Sequence, residues 1–379
     1  MVSTNDQAST PSQTHDEVLR VGVIGTGHLG RIHAKLLASV PGAVLAGVSD
    51  PDEMGRGRVT QEHGGIAVSH HDALLPHIDA AIVASPTGTH AQVVGDLLDA
   101  GKHVLCEKPL TIDPTDARRL AMTAAARRLV LQVGHVERFN PAFIAASEIA
   151  RDAKYVEAVR ASSFPGRCLD VGVVMDLMIH DLDLIRSLTD APVQSVDASG
   201  VSVVSAHEDI AEARITFGCG LVANVKASRI NVEAERSMQI FSANGLASID
   251  FQTPSLTTVS TSDQLRDRSF DLDFETDDPL GYRDQLFAEH LRVQTQTLTP
   301  RNAILDEQTD FVVSIASGGC PVVSGTAGAD AVELADQVVS AIAKRQWSID
   351  PKHVGADVGR VAAGRVTGSE IAVGRRKAA

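Results

Sequence analysis

The sequence predicts an α/β protein of two domains: a doubly wound parallel sheet, then an α+β domain with a large, mainly antiparallel open sheet. At 379 residues the chain exceeds the usual ~100–200 residues of one domain. Short apolar runs alternate with helical patterns from Leu19 to about Gly134, whereas strand-rich runs of alternating apolar and polar residues follow. We expect domains at residues 18–143 and 144–345, a disordered lead-in at 1–17 and a flexible tail at 346–379.

The elements of the first domain follow one another in β-α order, which is typical of a parallel sheet covered by helices. The predicted strands are Leu19–Ile24, Val44–Ser49, Ala80–Ala84, His103–Cys106 and Val130–Val133. The predicted helices are Arg31–Ser39, His90–Ala100 and Thr115–Arg128. Such sheets bind ligands at the carboxyl ends of their strands, so residues there are the first candidates for function.

The second domain is predicted as strands interrupted by one helix and followed by two more. The strands are Tyr155–Phe164, Val193–Val204, Ala211–Phe217, Leu221–Ser228, Ser237–Ala243 and Ala247–Phe251. The helices are Val173–Leu188, Ile304–Ser317 and Ala329–Ala343. Alternation of apolar and polar residues predicts a sheet with one covered face.

Composition excludes several classes of protein. Hydrophobic residues make up 44% and charged residues 22%, which is typical of globular proteins and excludes fibrous or wholly disordered chains. A net charge of -14 with 3% aromatic residues disfavours nucleic-acid binding. We expect neither a membrane span nor a secretory signal, because no uncharged apolar run is long enough and residues 1–17 are polar. The 4 cysteines form no CxxC pair, which indicates reduced thiols in the cytoplasm.

A glycine motif, Gly25-Thr26-Gly27-His28-Leu29-Gly30, lies between the first predicted strand and helix. In that context the glycines let the backbone approach a pyrophosphate at the helix N-terminus. Asp50 ends the second strand, 20 residues after Gly30, where a carboxylate accepts hydrogen bonds from the adenosine ribose hydroxyls. Because that carboxylate would repel a 2′-phosphate, the pattern favours NAD, while Arg56 and Arg58 keep NADP open as the second choice.

Two further segments follow strands of the same sheet. Ser85-Pro86-Thr87-Gly88-Thr89-His90 follows the third strand and is expected to line the cofactor cleft, in a turn that caps the next helix through Thr89. Glu107-Lys108-Pro109 follows the fourth strand, where the lysine is placed to donate to a substrate oxygen. A solvated lysine without a catalytic role is the alternative.

Asp176 and His180 are four residues apart in the predicted helix of the second domain, on one face. Their apolar neighbours indicate a buried helix, so both need hydrogen-bonding partners. One interpretation is a core histidine with a capping carboxylate. In the other, a neutral imidazole accepts a hydroxyl proton, and the nearby carboxylate stabilises its protonated form.

Taken in order, these motifs resemble the glucose–fructose oxidoreductase/inositol dehydrogenase (Gfo/Idh/MocA) family, over Val21 to about Ile342. The resemblance implies a Rossmann domain and a catalytic group of Lys108, Asp176 and His180. In it His180 is the acid/base, Lys108 orients and polarises the reacting hydroxyl, and Glu107 lies near the nicotinamide ribose. Family resemblance also implies a homodimer or homotetramer.

Two segments resemble the branch containing UDP-N-acetylglucosamine 3-dehydrogenases: Gly134-His135-Val136-Glu137-Arg138-Phe139-Asn140-Pro141, and the run from Ser163 to Leu177. Many family members carry a Gly-Gly pair before the Asp-x-x-x-His, which this chain lacks. The resemblance implies that Arg138, Asn140 and Arg167 bind substrate, because guanidinium groups suit diphosphate oxygens. Structural ion pairs are the alternative for both arginines.

The leading hypothesis is therefore an NAD-dependent oxidoreductase that oxidises a secondary hydroxyl of a sugar, such as the 3-hydroxyl of UDP-N-acetylglucosamine. An inositol, polyol or other sugar dehydrogenase is the second enzyme hypothesis, and a non-catalytic dinucleotide-sensing protein is the hypothesis from another class. We expect a small-molecule partner and no metal. His63, His70 and His71 lie in a polar loop without a third ligand at a recognisable spacing.

Overall fold

The structure is a computed structural model that describes residues 18–164, 171–271 and 277–345. The predicted lead-in at residues 1–17, the predicted tail at 346–379 and the candidate residue Arg167 lie outside the described residues. Among the helices of the described ranges, none has both the length and the apolar character needed to cross a membrane.

The first sheet has six parallel strands in the order β3-β2-β1-β4-β5-β6. Its strands are β1 Leu19–Ile24, β2 Ala43–Ser49, β3 Ile66–Val68, β4 Ala80–Val83, β5 His103–Glu107 and β6 Leu131–Gly134. Its helices are α1 His28–Leu37, α2 Glu53–His63, α3 His90–Asp99 and α4 Pro114–Arg127. The strand order reverses between β1 and β4, which is where such sheets open a ligand crevice at their carboxyl ends.

The second sheet has eight strands in the order β14-β13-β12-β11-β7-β10-β9-β8, in which only β7 and β10 pair in parallel. Its strands are β7 Tyr155–Ala161, β8 Val193–Val201, β9 Ile210–Phe217, β10 Val222–Ser228, β11 Glu235–Ser242, β12 Gly245–Asp250, β13 Ser255–Thr261 and β14 Leu291–Thr297. The remaining helices are α5 Pro141–Ala145, α6 Ser147–Ala150, α7 Ile179–Arg186, α8 Asp263–Arg266, α9 Pro279–Glu289, α10 Ala303–Ser317 and α11 Gly325–Lys344. The predicted fold class is confirmed.

Alternating burial explains why the second sheet forms. In β9, Ala211, Ala213, Ile215 and Phe217 are fully buried or nearly so, and the residues between them are more exposed. The period of two places every second side chain on one face. That face is covered by α7 and α11, which contact strands of the sheet as well as one another.

The last two helices return to the first domain. Val133 of β6 donates its N–H to the carbonyl of Val323, and Gln132 forms a bridge with Ser324. Gly328 of α11 packs closely on Val133, where an added Cβ would collide with the valine side chain. Helix α10 contacts α1 and β5. The C-terminal part of the second region therefore contributes side chains beneath the carboxyl end of the first sheet.

Several predicted elements were wrong or incomplete. Helix α1 begins at His28 rather than Arg31, because Gly27 is its N-cap and the second half of the glycine motif is already helical. Helix α2 and strand β3 were missed, since most of their residues are exposed and carry no apolar period. Edge strand β14 and helix α9 were missed for the same reason, and β13 was missed because only Leu256 of its residues is fully buried. The helix predicted from Val173 begins with one π-helical turn, Val174–Met178.

A buried ion pair holds the entry to that π-helical turn. The guanidinium of Arg229 donates to Asp209 at 2.9 Å and to the carbonyl of Val171 at 2.9 Å, and neither charged side chain is exposed. Asp209 also accepts hydrogen bonds from the backbone N–H groups of Val203 and Val204. These bonds satisfy the buried charges and fix the loop beside Val171.

Replacing Asp209 with alanine is expected to lower the free energy of unfolding by about 3–5 kcal/mol, because Arg229 loses the carboxylate that compensates its buried charge. Urea denaturation measures the change. The control is Asp116→Ala, which removes the partner of Arg119 from an exposed pair and should cost less than about 1 kcal/mol. Equal losses in the two variants would contradict this account.

Candidate active site

The glycine motif forms an open helix N-terminus. Gly25 has a φ of +94°, and a Cβ there would lie 2.5 Å from the carbonyl oxygen of Ala84, so only glycine fits. A Cβ on Gly30 would collide with the carbonyl of Gly25. Gly27 has open space around its Cβ position and caps α1 without a side-chain hydrogen bond. His28 and Leu29 form the first turn behind it. This geometry fits a pyrophosphate at the helix N-terminus.

Asp50 lies directly after β2, beside the glycine motif. One carboxylate oxygen accepts from the N–H of Thr26 at 2.6 Å and from its hydroxyl at 2.8 Å, and the other accepts from the N–H of Asp52 at 2.8 Å. A carboxylate accepts about four hydrogen bonds, so capacity remains for a ribose hydroxyl. Arg56 donates to the carbonyls of Asp50 and Pro51, which holds its guanidinium on the backbone.

The segment after β4 is joined to the segment after β5 by His90. Its ring nitrogens lie 2.9 Å from the carbonyl oxygens of Ser85 and Pro109, and the ring is buried. Pro86 and Thr87 begin a short 3₁₀ turn between them. Thr89 occupies the N-cap position of α3, as predicted, but its hydroxyl donates to the carbonyl of Pro86 and makes no capping hydrogen bond to the helix.

Glu107 ends β5 as a buried carboxylate. The Nε2 of His33 lies 2.8 Å from Glu107 Oε1, and the Nε2 amide of Gln308 donates to His33 Nδ1 at 2.8 Å. The proton of His33 is therefore assigned to Nε2, which donates to the carboxylate. Burial opposes ionisation of Glu107, but His33 and Lys108 together outweigh it and lower the pKa of that carboxyl. Glu107 thus carries a negative charge beside Lys108.

Sequence reasoning missed both His33 and Gln308. His33 is three residues after Gly30, on the buried side of α1. Its position on that side, close behind the glycine motif, was the feature of the sequence that could have identified it. Gln308 lies 275 residues further along, so no local pattern connects the two side chains. Its neighbour Glu307 is also buried, and burial together with the charge of Glu107 raises the pKa of Glu307 well above its usual value. Burial therefore favours the neutral form of Glu307.

Lys108 and Asp176 join the two regions of the chain. The ammonium nitrogen of Lys108 donates to the backbone carbonyl of Asp176 at 2.6 Å and to its carboxylate at 3.3 Å. The side chains are 17% and 13% exposed, so each charge depends on the other. Asp176 lies in the π-helical turn, an element that recurs at functional sites. The structure thus brings together two of the three residues predicted for catalysis.

His180, the third residue, follows in the first turn of α7. Burial lowers its pKa well below the usual value, and the positive charges of Lys108 and Arg160 lower it further. The predicted pairing of its protonated form with Asp176 was wrong, because that carboxylate is engaged by Lys108. Nδ1 of His180 is buried and has no hydrogen-bond partner among the described residues. The ring is neutral at pH 7, as a general base must be.

Arg138 and Asn140 are engaged within the fold. Arg138 donates twice to the buried Asp183, at 2.7 and 3.2 Å, which is the ion pair that the sequence left open as an alternative. The side-chain oxygen of Asn140 accepts from the N–H of Ala142 and caps α5, and its amide donates to Glu137. These contacts hold the segment that follows β6 in place.

Asp72 lies beside His70 and His71 as a third potential metal ligand, which the sequence analysis did not identify. One ligand atom each from His70, His71 and Asp72 lies within 4.8 Å of the others, at the start of a 3₁₀ turn after β3 in which His71 is buried. Nε2 of His71 already lies 3.1 Å from the carboxylate of Asp96. His71 thus forms a hydrogen bond between this turn and α3.

The combined geometry suits proton removal from a hydroxyl group. A neutral imidazole can accept the proton, and an ammonium group can stabilise the negative charge that develops on the oxygen. Both groups lie where the carboxyl end of the first sheet meets the second domain. The open helix N-terminus and Asp50 fit a bound dinucleotide, whose nicotinamide supplies the chemistry of hydride acceptance.

Replacing Asp50 with asparagine is expected to raise the dissociation constant of NAD about tenfold or more, since hydrogen bonds to a charged acceptor contribute about 1.5–3 kcal/mol. The preference for NAD over NADP should fall because the negative charge is lost. Titration calorimetry with both nucleotides measures this, with the exposed neighbour variant Glu53→Gln as the control. Wild-type affinity for NAD in Asp50→Asn would contradict the assignment.

Comparisons with known proteins agree with this geometry. Residues 19–135 match the model of an oxidoreductase family with an NAD-binding Rossmann fold, and residues 153–248 match the GFO/IDH/MocA C-terminal domain. The UDP-N-acetylglucosamine 3-dehydrogenase of Acidithiobacillus ferrooxidans is 41% identical over 67% of this chain and 83% of its own length. A solved structure of the enzyme of that name from the same organism has a TM-score of 0.74, at 36% identity over 86% of this chain and 97% of the other.

A second relative is named for a different class of substrate, an inositol. The myo-inositol 2-dehydrogenase of Thermotoga maritima is 28% identical over 83% of this chain and 94% of its own length. This chain is more similar in sequence to the UDP-N-acetylglucosamine 3-dehydrogenase, at 41% identity, than to the inositol dehydrogenase, at 28%. The chain belongs to the Gfo/Idh/MocA family of NAD-binding oxidoreductases.

Proposed function

We propose that this chain is an NAD-dependent dehydrogenase that oxidises the 3-hydroxyl of UDP-N-acetylglucosamine to a ketone. One observation carries the proposal: Lys108 from the first sheet bonds to Asp176 beside a neutral His180, at the mouth of a dinucleotide cleft. The name of the relative that is 41% identical supports the substrate.

We assign each site residue one role. His180 accepts the hydroxyl proton, Lys108 donates a hydrogen bond to the reacting oxygen, and Asp176 holds the ammonium in place. Glu107 contacts the nicotinamide ribose. The remaining cofactor contacts are assigned to Gly25, Gly27, His28, Leu29, Gly30, Asp50, Ser85, Pro86, Thr87 and His90.

For the substrate we propose a contact from Arg167, whose guanidinium suits a diphosphate. That assignment depends on the sequence alone, because the residue lies outside the described ranges. Arg138 and Asn140 take part in substrate binding through the segment they hold after β6, rather than by free side chains. We propose that the chain divides into two domains near residue 143. Helices α10 and α11, which follow the second sheet in sequence, pack against the first domain.

The enzyme is proposed to be a cytoplasmic homodimer or homotetramer. Cys106 is a buried free thiol, and Cys219 and Cys320 are exposed free thiols, which suits a reducing compartment. Leu280 and Phe287 of α9 and Val293 of edge strand β14 are exposed apolar side chains that a second copy would cover. Light scattering coupled to size-exclusion chromatography tests the assembly, and a monomer at micromolar concentration would contradict it.

An inositol or polyol dehydrogenase is the second candidate. It is supported by the myo-inositol 2-dehydrogenase of Thermotoga maritima, 94% of whose length matches this chain. A non-catalytic dinucleotide sensor has less support. It gives no reason for an ammonium, a carboxylate and a neutral imidazole to meet at the cleft.

The direct test is absorbance of NADH with purified protein, NAD and UDP-N-acetylglucosamine, beside parallel assays with NADP and with free myo-inositol. We expect reduction of NAD with the nucleotide sugar and little with the other pairs. Turnover with myo-inositol alone would retain the dehydrogenase and replace its substrate. Silence with every sugar and polyol would overturn the enzyme assignment.

Changing Lys108 to alanine is expected to lower kcat about 10²–10⁴-fold, since the developing charge on the oxygen loses its donor. The dissociation constant of NAD should change little, which calorimetry measures beside steady-state kinetics. Lys154→Ala, at an exposed lysine, is the matched control. Undiminished turnover in Lys108→Ala would refute the role.

A further inference from the structure

His135 is a buried histidine with no role in the reaction described so far. It follows β6 directly and is 1% exposed. Both of its ring nitrogens lack a hydrogen-bond partner among the described residues, as does Nδ1 of His180. Buried polar atoms in proteins are nearly always hydrogen-bonded, so three unpartnered nitrogens on two neighbouring rings indicate a shared small ligand.

The two rings are arranged so that one bridging molecule can join them. Their centroids lie 6.2 Å apart and their planes meet at 88°. At that separation a direct N–H···N bond between the rings is out of reach. Two hydrogen bonds of about 2.8 Å through a single water or hydroxyl span up to about 5.6 Å. A bridged pair of imidazoles is therefore compatible with the observed geometry.

The charges around the two rings differ. The pKa of His180 is lowered by positive charge on four groups: Lys108 directly after β5, Arg160 on β7, Arg236 on β11, and the neighbouring ring of His135 when it is protonated. His135 is influenced by the carboxylates of Asp183 on α7 and Glu107 on β5, as well as by two cations, Arg138 and Lys108.

The net effect favours a proton on His135. Burial lowers the pKa of both histidines, but the two carboxylates partly offset the shift at His135, whereas the charges around His180 increase its shift. A proton placed on His180 is thus less stable than the same proton on His135.

We propose that His135 is a proton-relay residue that receives, through a bridging water or hydroxyl, the proton that His180 takes from the substrate. The inference depends on the proposed dehydrogenase function. His135 does not touch the substrate and acts through His180. It adds a second histidine to the three residues of the predicted catalytic group.

Oxidation of the alcohol and the proton relay together conserve atoms and charge. The carbon–hydrogen bond of the alcohol breaks with its electron pair, which leaves as hydride to NAD, and the carbon–oxygen bond becomes a carbonyl. The hydroxyl proton moves to Nε2 of His180, while the proton on Nδ1 of His180 passes through the bridge to His135. His180 ends neutral and His135 ends protonated, and release of that proton to water resets the pair.

The kinetic test is His135→Gln, which keeps a polar side chain but cannot hold a proton. We expect kcat for sugar oxidation to fall at least about tenfold, with a shifted pH profile of kcat, while KM for the sugar and the dissociation constant of NAD stay within about twofold. His71→Gln, at a buried histidine outside the cleft, should behave as wild type. A wild-type kcat and pH profile in His135→Gln would overturn the relay, as would a raised KM with unchanged kcat.

A second measurement needs neither a variant nor a substrate. Nitrogen-15 NMR of the histidine side chains of the wild-type protein follows the protonation of each ring with pH. We expect both rings to be neutral at pH 7 and His135 to take up its proton at a higher pH than His180. The reverse order would overturn the proposal. If the proposed function is wrong, the wild-type protein will oxidise no sugar, while the order in which the two histidines take up protons can still be as predicted.

Discussion

The site depends on one contact, the bond between the ammonium of Lys108 and Asp176. It joins the carboxyl end of β5 to the π-helical turn of the second domain, through both the backbone carbonyl and the carboxylate. With both side chains largely removed from water, neither charge is stable there without the other. The contact therefore sets the distance between the nucleotide-binding sheet and His180, which follows Asp176 by one turn. A dehydrogenase needs that distance fixed, because hydride transfer requires reacting atoms about 3–3.5 Å apart.

Burial assigns the other titratable groups their charge states. Glu107 is ionised because His33 and Lys108 stabilise its charge, whereas burial and the charge of Glu107 raise the pKa of Glu307. His180 is neutral because it is buried among cations. The carboxylate that accepts hydrogen bonds is thus the ionised one, whereas burial without such partners favours the neutral forms of Glu307 and His180. This division leaves an imidazole as the group able to accept a proton next to the ammonium of Lys108.

The sequence predicted those features whose physical cause is local. The glycine motif, Asp50 and the strand ends at Glu107 and Lys108 were identified from spacing within single β-α units, and family resemblance supplied the roles of Asp176 and His180. The contact of Gln308 with His33 joins residues 275 apart, so it was beyond local patterns. The pairing of Asp176 was assigned to the wrong partner because helical spacing places His180 nearby but does not show Lys108. Strands β13 and β14 were missed since few of their side chains are buried.

The central claim is that this site moves a hydride from carbon 3 of a nucleotide sugar to NAD. The most direct measurement uses UDP-N-acetylglucosamine deuterated at carbon 3, with mass spectrometry of the nicotinamide product. The account predicts that the deuterium appears in NADH and that the sugar product is a 3-ketone. NADH formed without deuterium from the labelled sugar would contradict it, because the hydride would then come from another carbon.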